Sequence, residues 1–334
     1  VRTARLAKVT SVLLLLWSSL GTSGCYLTHI ASGQLRLLRA RQPVEAVLAD
    51  PATKPELRHQ LELVQRTREF ASDLGLEVDR QYTSYASWPG DRVVTSIVAT
   101  RPGEVDPAGF WFPILGRLPY KGYFDREKAA AEASRLRTRG LDVCEVPVRA
   151  YSTLGWFDDP VTGPMLRSGD GRLVETILHE LVHATVYLRG HVDFDEGVAS
   201  FIGEEASVRF FTRAGEPEQA ARRREQVEES RRLDARILGL RKRVQELYRS
   251  EPPGPERDSA RLRYEAETRA EVGAPYAERI QLNDACLALA ATYASDTPLY
   301  AAKLEALRGD LPAFIRRLRE AADAEDPREA LLAP

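Results

Sequence analysis

The sequence predicts an α+β protein with a small mixed sheet and a mostly helical C-terminal part that carries a projecting helical hairpin. Three observations predict it. β-branched and aromatic runs bounded by Pro and Gly are confined to the stretch from 82 to 157. From residue 172 onward the apolar residues recur at helical spacing. Within the strongly charged stretch 216–280, Leu233, Ile237, Leu240, Val244 and Leu247 alternate steps of four and three, the narrow seam of a helix that packs along another. The chain has 334 residues, enough for one large domain or two. Its 43% hydrophobic and 29% charged residues exclude collagen-like and largely disordered classes. With 47 Lys+Arg against 49 Asp+Glu, the net charge of −2 argues against a nucleic-acid partner. No apolar run approaches the ~20 residues of a membrane-spanning helix, which excludes a multispan protein.

Residues 1–24 carry no acid and place Arg2, Arg5 and Lys8 ahead of the apolar block Val12–Trp17, as an export signal does. The small residues Thr22-Ser23-Gly24 before Cys25 resemble a bacterial lipobox, with Thr22 where Leu is usual and Leu20 five places before the cysteine. That resemblance implies a lipid on Cys25 and a mature chain anchored to a membrane of the cell envelope. Tyr26, rather than Asp, follows the cysteine, which in a two-membrane cell resembles the outer-membrane sorting pattern. Cys144 and Cys286 then remain, either bridged, as an exported compartment permits, or as two buried thiols.

Residues 25–81 read as an N-terminal helical segment, with Pro43 and Pro55 at helix starts and a stripe of Leu57, Leu61, Val64 and Phe70 ending at Gly75. The core is expected over 82–212, with strands at Arg92–Thr100, Phe110–Leu115 and Asp142–Val148. Asp125 caps a helix over 126–139 that Gly140 ends. Residues 213–280 read as a charged antiparallel hairpin about Pro252-Pro253-Gly254-Pro255, a solvated structural arm. Residues 281–325 supply helices that complete the core, and 326–334 form a frayed tail.

The chemistry concentrates between 172 and 205. Residues 172–190 read as one helix closed by Gly190, and within it lies His179-Glu180-Leu181-Val182-His183. Two histidines four apart stand one above the other on a helix face, so both imidazoles reach one zinc ion. Glu180 emerges beside them, placed to hydrogen-bond a metal-bound water without ligating. A third ligand is needed. The metzincin pattern would require Gly at 186 and His at 189, where this chain has Val186 and Arg189. His191, Asp193 and Asp195 are physically possible, with no spacing rule behind them.

The segment Phe194–Phe201 (FDEGVASF) resembles the glutamate helix of the gluzincin metallopeptidases, whose third ligand sits in an (Asn)-Glu-Gly-x-Ala-Ser pattern. With Tyr151–Pro160, His179–His183, the lipobox, and Gly33–Leu35 through Leu48–Asp50, nearly the whole mature chain resembles the bacterial putative aminopeptidase family of predicted zinc lipoproteins. The resemblance implies a zincin-like fold and one Zn2+ per chain on His179, His183 and Glu196. It also implies a peptide substrate and Glu180 as general base. The chain departs from the pattern at Asp195 and Asp284, where the family tends to have Asn. Zincins commonly add an oxyanion donor, for which Tyr151, Tyr187, one turn past His183, and Asn283 are candidates. The run Ser152, Thr153, Leu154, Gly155 to Phe157 is a candidate edge strand for extended substrate. Glu204 and Glu205, two turns past Glu196, read as a solvated helix face. Two other readings stand beside the peptidase: a catalytically degenerate scaffold used for binding, and a zinc amide hydrolase acting on cell-wall material.

Overall fold

The computed structural model describes residues 26–112, 116–150, 158–188 and 190–333. Cys25 with the segment before it, and Tyr151, Ser152, Thr153, Leu154 and Gly155, lie outside the described residues. The first third is α1 (26–39), β1 (Arg41–Pro43), α2 (Val44–Ala49), α3 (Pro55–Asp73) and β2 (Ser84–Ala86). The middle is β3 (Val94–Thr100), β4 (Phe110–Phe112), β5 (Gly116–Leu118), β6 (Tyr120–Tyr123), α4 (Arg126–Thr138) and β7 (Asp142–Val148). There follow β8 (Val161–Thr162), α5 (Gly163–Leu166), α6 (Asp170–Thr185) and α7 (Val192–Arg213). Helices α8 (Pro217–Ser250), α9 (Pro255–Val272), α10 (Asp284–Ala294), α11 (Thr297–Ala306), α12 (Leu311–Ala321) and α13 (Pro327–Leu332) complete the chain.

Instead of one small sheet, the described residues form two three-stranded sheets and a two-stranded hairpin. β1 pairs antiparallel with β2, which pairs parallel with β8, so this sheet is mixed. β1 interrupts the expected helical segment because Pro43 biases Gln42 to extended backbone and leaves the strand with an edge position. The second sheet is antiparallel in the order β6-β3-β7, and the hairpin is β4-β5. β3 is buried almost throughout because both its faces are covered. Ile97 and Ala99 pack with Ala129, Ala133 and Leu136 of α4, while Val98 packs with Ala285 of α10. Asp125 caps α4 as expected, accepting from the backbone of Glu127 and Lys128. Cys144 of β7 and Cys286 of α10 form a disulfide with a Cα–Cα distance of 5.1 Å, which fastens α10 to the sheet.

The main core surrounds α6. Leu173, Val174, Ile177, Leu178, Leu181 and Val182 are all buried between α3, with Leu61 and Val64, and α7, with Val198, Phe201 and Ile202. Burying one such side chain stabilises by about 1.5–3 kcal/mol, so this belt fixes α6 against α7. Gly203 sets their separation. A Cβ there would stand 3.0 Å from the carbonyl oxygen of Glu175 and 3.3 Å from the amide nitrogen of His179, neither of which can swing away. A glycine inside a helix costs about 1 kcal/mol against alanine, and here it permits close approach at His179.

Helix α8 does not project as a solvated arm. Leu240 and Val244 of its seam pack on Val105, Leu282 and Leu287, and its N-terminal half lies along α7. Arg223, 2% exposed, reaches Glu175 at 2.5 Å and Ser207 at 2.9 Å. Glu204 and Glu205, expected on a solvated face, are taken up in the same interface. Arg231 pairs with Glu204 at 2.8 Å and with Glu205 at 3.1 Å, and Arg224 and Arg209 reach Glu205 at 3.0 and 2.6 Å. The charge on α8 therefore faces α7 as well as water. The C-terminal tail is likewise not frayed: Asp326 caps α13, and Leu331 is fully buried in the main core.

Asp234 of α8 carries a pH dependence. Burial, only partly offset by Arg172, pushes its carboxyl up to about 6 from an ordinary 3.8. An acid with a raised folded-state pKa holds its proton more tightly when folded, so stability falls between about pH 4 and 6 and stays lower above. Asp234→Asn is expected to raise stability by about 1–2 kcal/mol above pH 6, with the gain vanishing below pH 4, as urea unfolding across that range would show.

Candidate metal centre

Helix α6 presents His179 and His183 one turn apart, with their Nε2 atoms 3.1 Å from each other. Glu196, in the second turn of α7, directs Oε2 to 3.4 Å from His179 Nε2 and 3.5 Å from His183 Nε2. Among the described residues these three side chains form a cluster able to hold a metal, their ligand-type atoms lying within 4.8 Å of one another. The other candidates for the third position are directed elsewhere. His191 is exposed at the start of α7, and Asp193 accepts from Thr292 Oγ1 at 2.8 Å.

The remaining ring nitrogens face α7. Ser200 Oγ lies 3.4 Å from His179 Nδ1, and the buried Asp195 brings Oδ2 to 3.4 Å from His183 Nδ1. A partner on Nδ1 favours the tautomer that leaves Nε2 free as a lone-pair donor. Glu196, Ser200 and Gly203 thus share the face of α7 that meets His179, while Asp195 serves His183. Asp195 thus places a carboxylate behind a ligand-type imidazole. Burial alone would lower the His183 pKa, and the Asp195 and Glu196 carboxylates outweigh it, holding it well above the ordinary imidazole value. Burial would raise the Glu196 pKa, and the two histidines hold it far below the usual carboxylate range.

Glu180 is half-buried on α6 beside this cluster, and its charge is felt by three tyrosines that sequence reasoning missed. Tyr120 of β6 hydrogen-bonds through its hydroxyl to Glu196 Oε1 at 3.5 Å. Burial, then the Glu196 and Glu180 carboxylates, push its phenol far above the ordinary value. Tyr293 of α10 is raised by burial and by the same two carboxylates, and the buried Tyr82 by burial, Glu180 and Asp159. No motif marks these positions. Tyr120 is brought in by the pairing of β6 with β3, and Tyr293 by the seat of α10 on β7 and α7. The one local signal, Pro119 before an aromatic that opens a strand, is too common to have singled out Tyr120.

Two sequence candidates are placed differently. α6 ends at Thr185, five residues short of Gly190, because Val186 and Leu188 are drawn into the core in extended backbone. The period becomes two, and Tyr187 between them points outward at 42% exposure instead of standing a helical turn above His183. Asn283 is the N-cap of α10. It accepts from Cys286 N at 2.9 Å, and its amide donates to Val143 O at 2.9 Å and Asp142 Oδ1 at 3.2 Å. That geometry gives it a structural task beside the disulfide.

Fold and site together define an α+β protein in which two packed helices bring two imidazoles and a carboxylate to one point, with a further carboxylate next to the first imidazole. The chain belongs to the family described as "Putative aminopeptidase", whose model matches residues 25–332. That name suggests a peptidase and a peptide substrate. No curated protein and no solved structure matches the chain.

Proposed function

We propose that this chain is a zinc-dependent peptidase of zincin type, anchored in the bacterial cell envelope through lipidated Cys25, with Glu180 as general base. The observation that carries the reading is the triangle of His179 Nε2, His183 Nε2 and Glu196 Oε2, with edges of 3.1, 3.4 and 3.5 Å. Two ligands each about 2.0–2.1 Å from a tetrahedral zinc stand about 3.3–3.4 Å apart, so the donors fit that ion in spacing as well as in type. Three protein ligands on such an ion would leave its fourth position for water, as in hydrolytic zinc sites.

Bound zinc would acidify a water and polarise the scissile carbonyl. His179 and His183 would offer Nε2, with the Ser200 hydroxyl and the Asp195 carboxylate lying behind their Nδ1 atoms. Glu180 takes the proton at its carboxylate and returns it to the leaving amine. Tyr120 and Tyr293, both kept protonated and both against Glu196, are the described donors for the oxyanion. The anchoring part of the proposal rests on the lipobox-like sequence at Cys25, with the family match beginning on that same residue.

A library of peptides with free and acetylated N-termini tests the reading. The full chain is expected to hydrolyse peptides, to lose that activity with a chelator and to recover it with zinc. Preference for free N-termini supports the aminopeptidase form. Cleavage of peptidoglycan fragments and of no peptide would instead favour an amide hydrolase of cell-wall material.

A further inference from the structure

The first described helix has two apolar faces, and the fold uses one of them. His29, Gly33 and Leu37 line the inner side of α1. His29 stacks on Tyr123 with centroids 5.8 Å apart, a Cβ on Gly33 would collide with the Phe124 ring, and Leu37 is fully buried with Trp88 and Phe124. Leu27, Ala31 and Leu35, at steps of four, form a second stripe that faces outward. Leu27 is 49% and Leu35 46% exposed.

The β4-β5 hairpin meets the start of this helix. Tyr26 hydrogen-bonds Gly122 O at 3.0 Å, and its ring lies 5.9 Å from that of Phe112. Phe110 and Phe112 flank Trp111 on the strand, so Trp111 takes the opposite side, where it is 73% exposed. Three of the six large exposed hydrophobics among the described residues thus belong to α1 and the hairpin packed on its first turn. Cationic side chains accompany them. Arg117 is the cross-strand partner of Trp111, and Arg36 and Arg39 are exposed at the end of α1.

We propose that the outer stripe of α1, together with Trp111, rests on the lipid bilayer and orients the catalytic body on the membrane. The occupant follows from what precedes the patch in the chain. Tyr26 and Leu27 come directly after Cys25, so on the proposed lipidation this end of α1 begins at the membrane surface. Exposed Leu and Trp beside Arg is the chemistry of an interfacial surface, with apolar side chains entering the headgroup boundary and cations meeting anionic headgroups. The inference rests on the anchoring reading but goes beyond it, because a lipid alone would tether the body without choosing a face.

The test uses the full chain in vesicles of phosphatidylethanolamine and phosphatidylglycerol, with and without brominated phosphatidylcholine, comparing the wild type with Trp111→Phe. Flotation of the vesicles reports anchoring, and quenching of tryptophan emission by the bromines reports contact with lipid. The expected result is a quenched component in the wild type that Trp111→Phe removes while the protein still floats. In a Trp111→Phe background, Leu35→Trp should restore it. A chain that floats with neither residue quenched overturns the proposal and leaves the anchor standing, whereas a chain that does not float overturns both. If Leu35→Asp converts a dimer in detergent to a monomer, and the dimer persists on vesicles without quenching, the stripe belongs to a second copy and the proposal fails.

Discussion

Glu180→Gln is expected to lower peptide hydrolysis by about 10²–10⁴-fold, the usual contribution of a positioned general base, while the protein keeps its metal and its stability. Gln retains the size of Glu and one accepting oxygen but cannot take a proton from the reacting water. Glu180 lies outside the triangle formed by His179, His183 and Glu196, so that triangle is left intact. The side chain is half-buried on α6, and the apolar residues that hold this helix in the core are unchanged by the substitution. Metal content and turnover measured on the same preparation separate the two effects. Full activity in the zinc-loaded Gln variant would remove Glu180 from the mechanism.

Tyr120→Phe is expected to lower kcat by about 10²–10³-fold with a smaller change in KM, the signature of a donor that acts as charge develops on the substrate oxygen. The phenol is kept protonated by burial and by the carboxylates of Glu196 and Glu180, so it is available to donate. Its 3.5 Å contact with Glu196 is long for a hydrogen bond between oxygens, and losing it should cost little stability. Tyr293→Phe is the control. If Tyr120→Phe turns over at the wild-type rate and Tyr293→Phe does not, the oxyanion donor is the tyrosine of α10.

How legible each element was in the sequence follows the range of the interactions behind it. β7 runs over the expected Asp142–Val148, and Asp125 caps α4, because strand composition and a capping carboxylate act within a few residues. His179 and His183 were readable for the same reason, since helical periodicity alone sets them one turn apart. Features that depend on tertiary packing were hidden. The end of α6 is decided by the burial of Val186 and Leu188, against a helical pattern that continues to Gly190. The charged sequence of α8 looks solvated until Glu204 and Glu205 of α7 are found facing Arg231, and Glu175 of α6 facing Arg223. Tyr120 lies far ahead of the histidine motif and Tyr293 far beyond it along the chain, and both are seated by one sheet, β6 by pairing with β3 and α10 by packing on β3 and β7.

The most direct measurement is the zinc content of the full chain, purified in detergent without chelator, beside Glu196→Ala. The account predicts one zinc per chain in the wild type and its loss or severe weakening in the variant, with both proteins folded. A folded wild type that carries no zinc, and takes up none when it is supplied, would contradict the account. Zinc held equally well by Glu196→Ala would contradict the assignment of Glu196 as the third ligand.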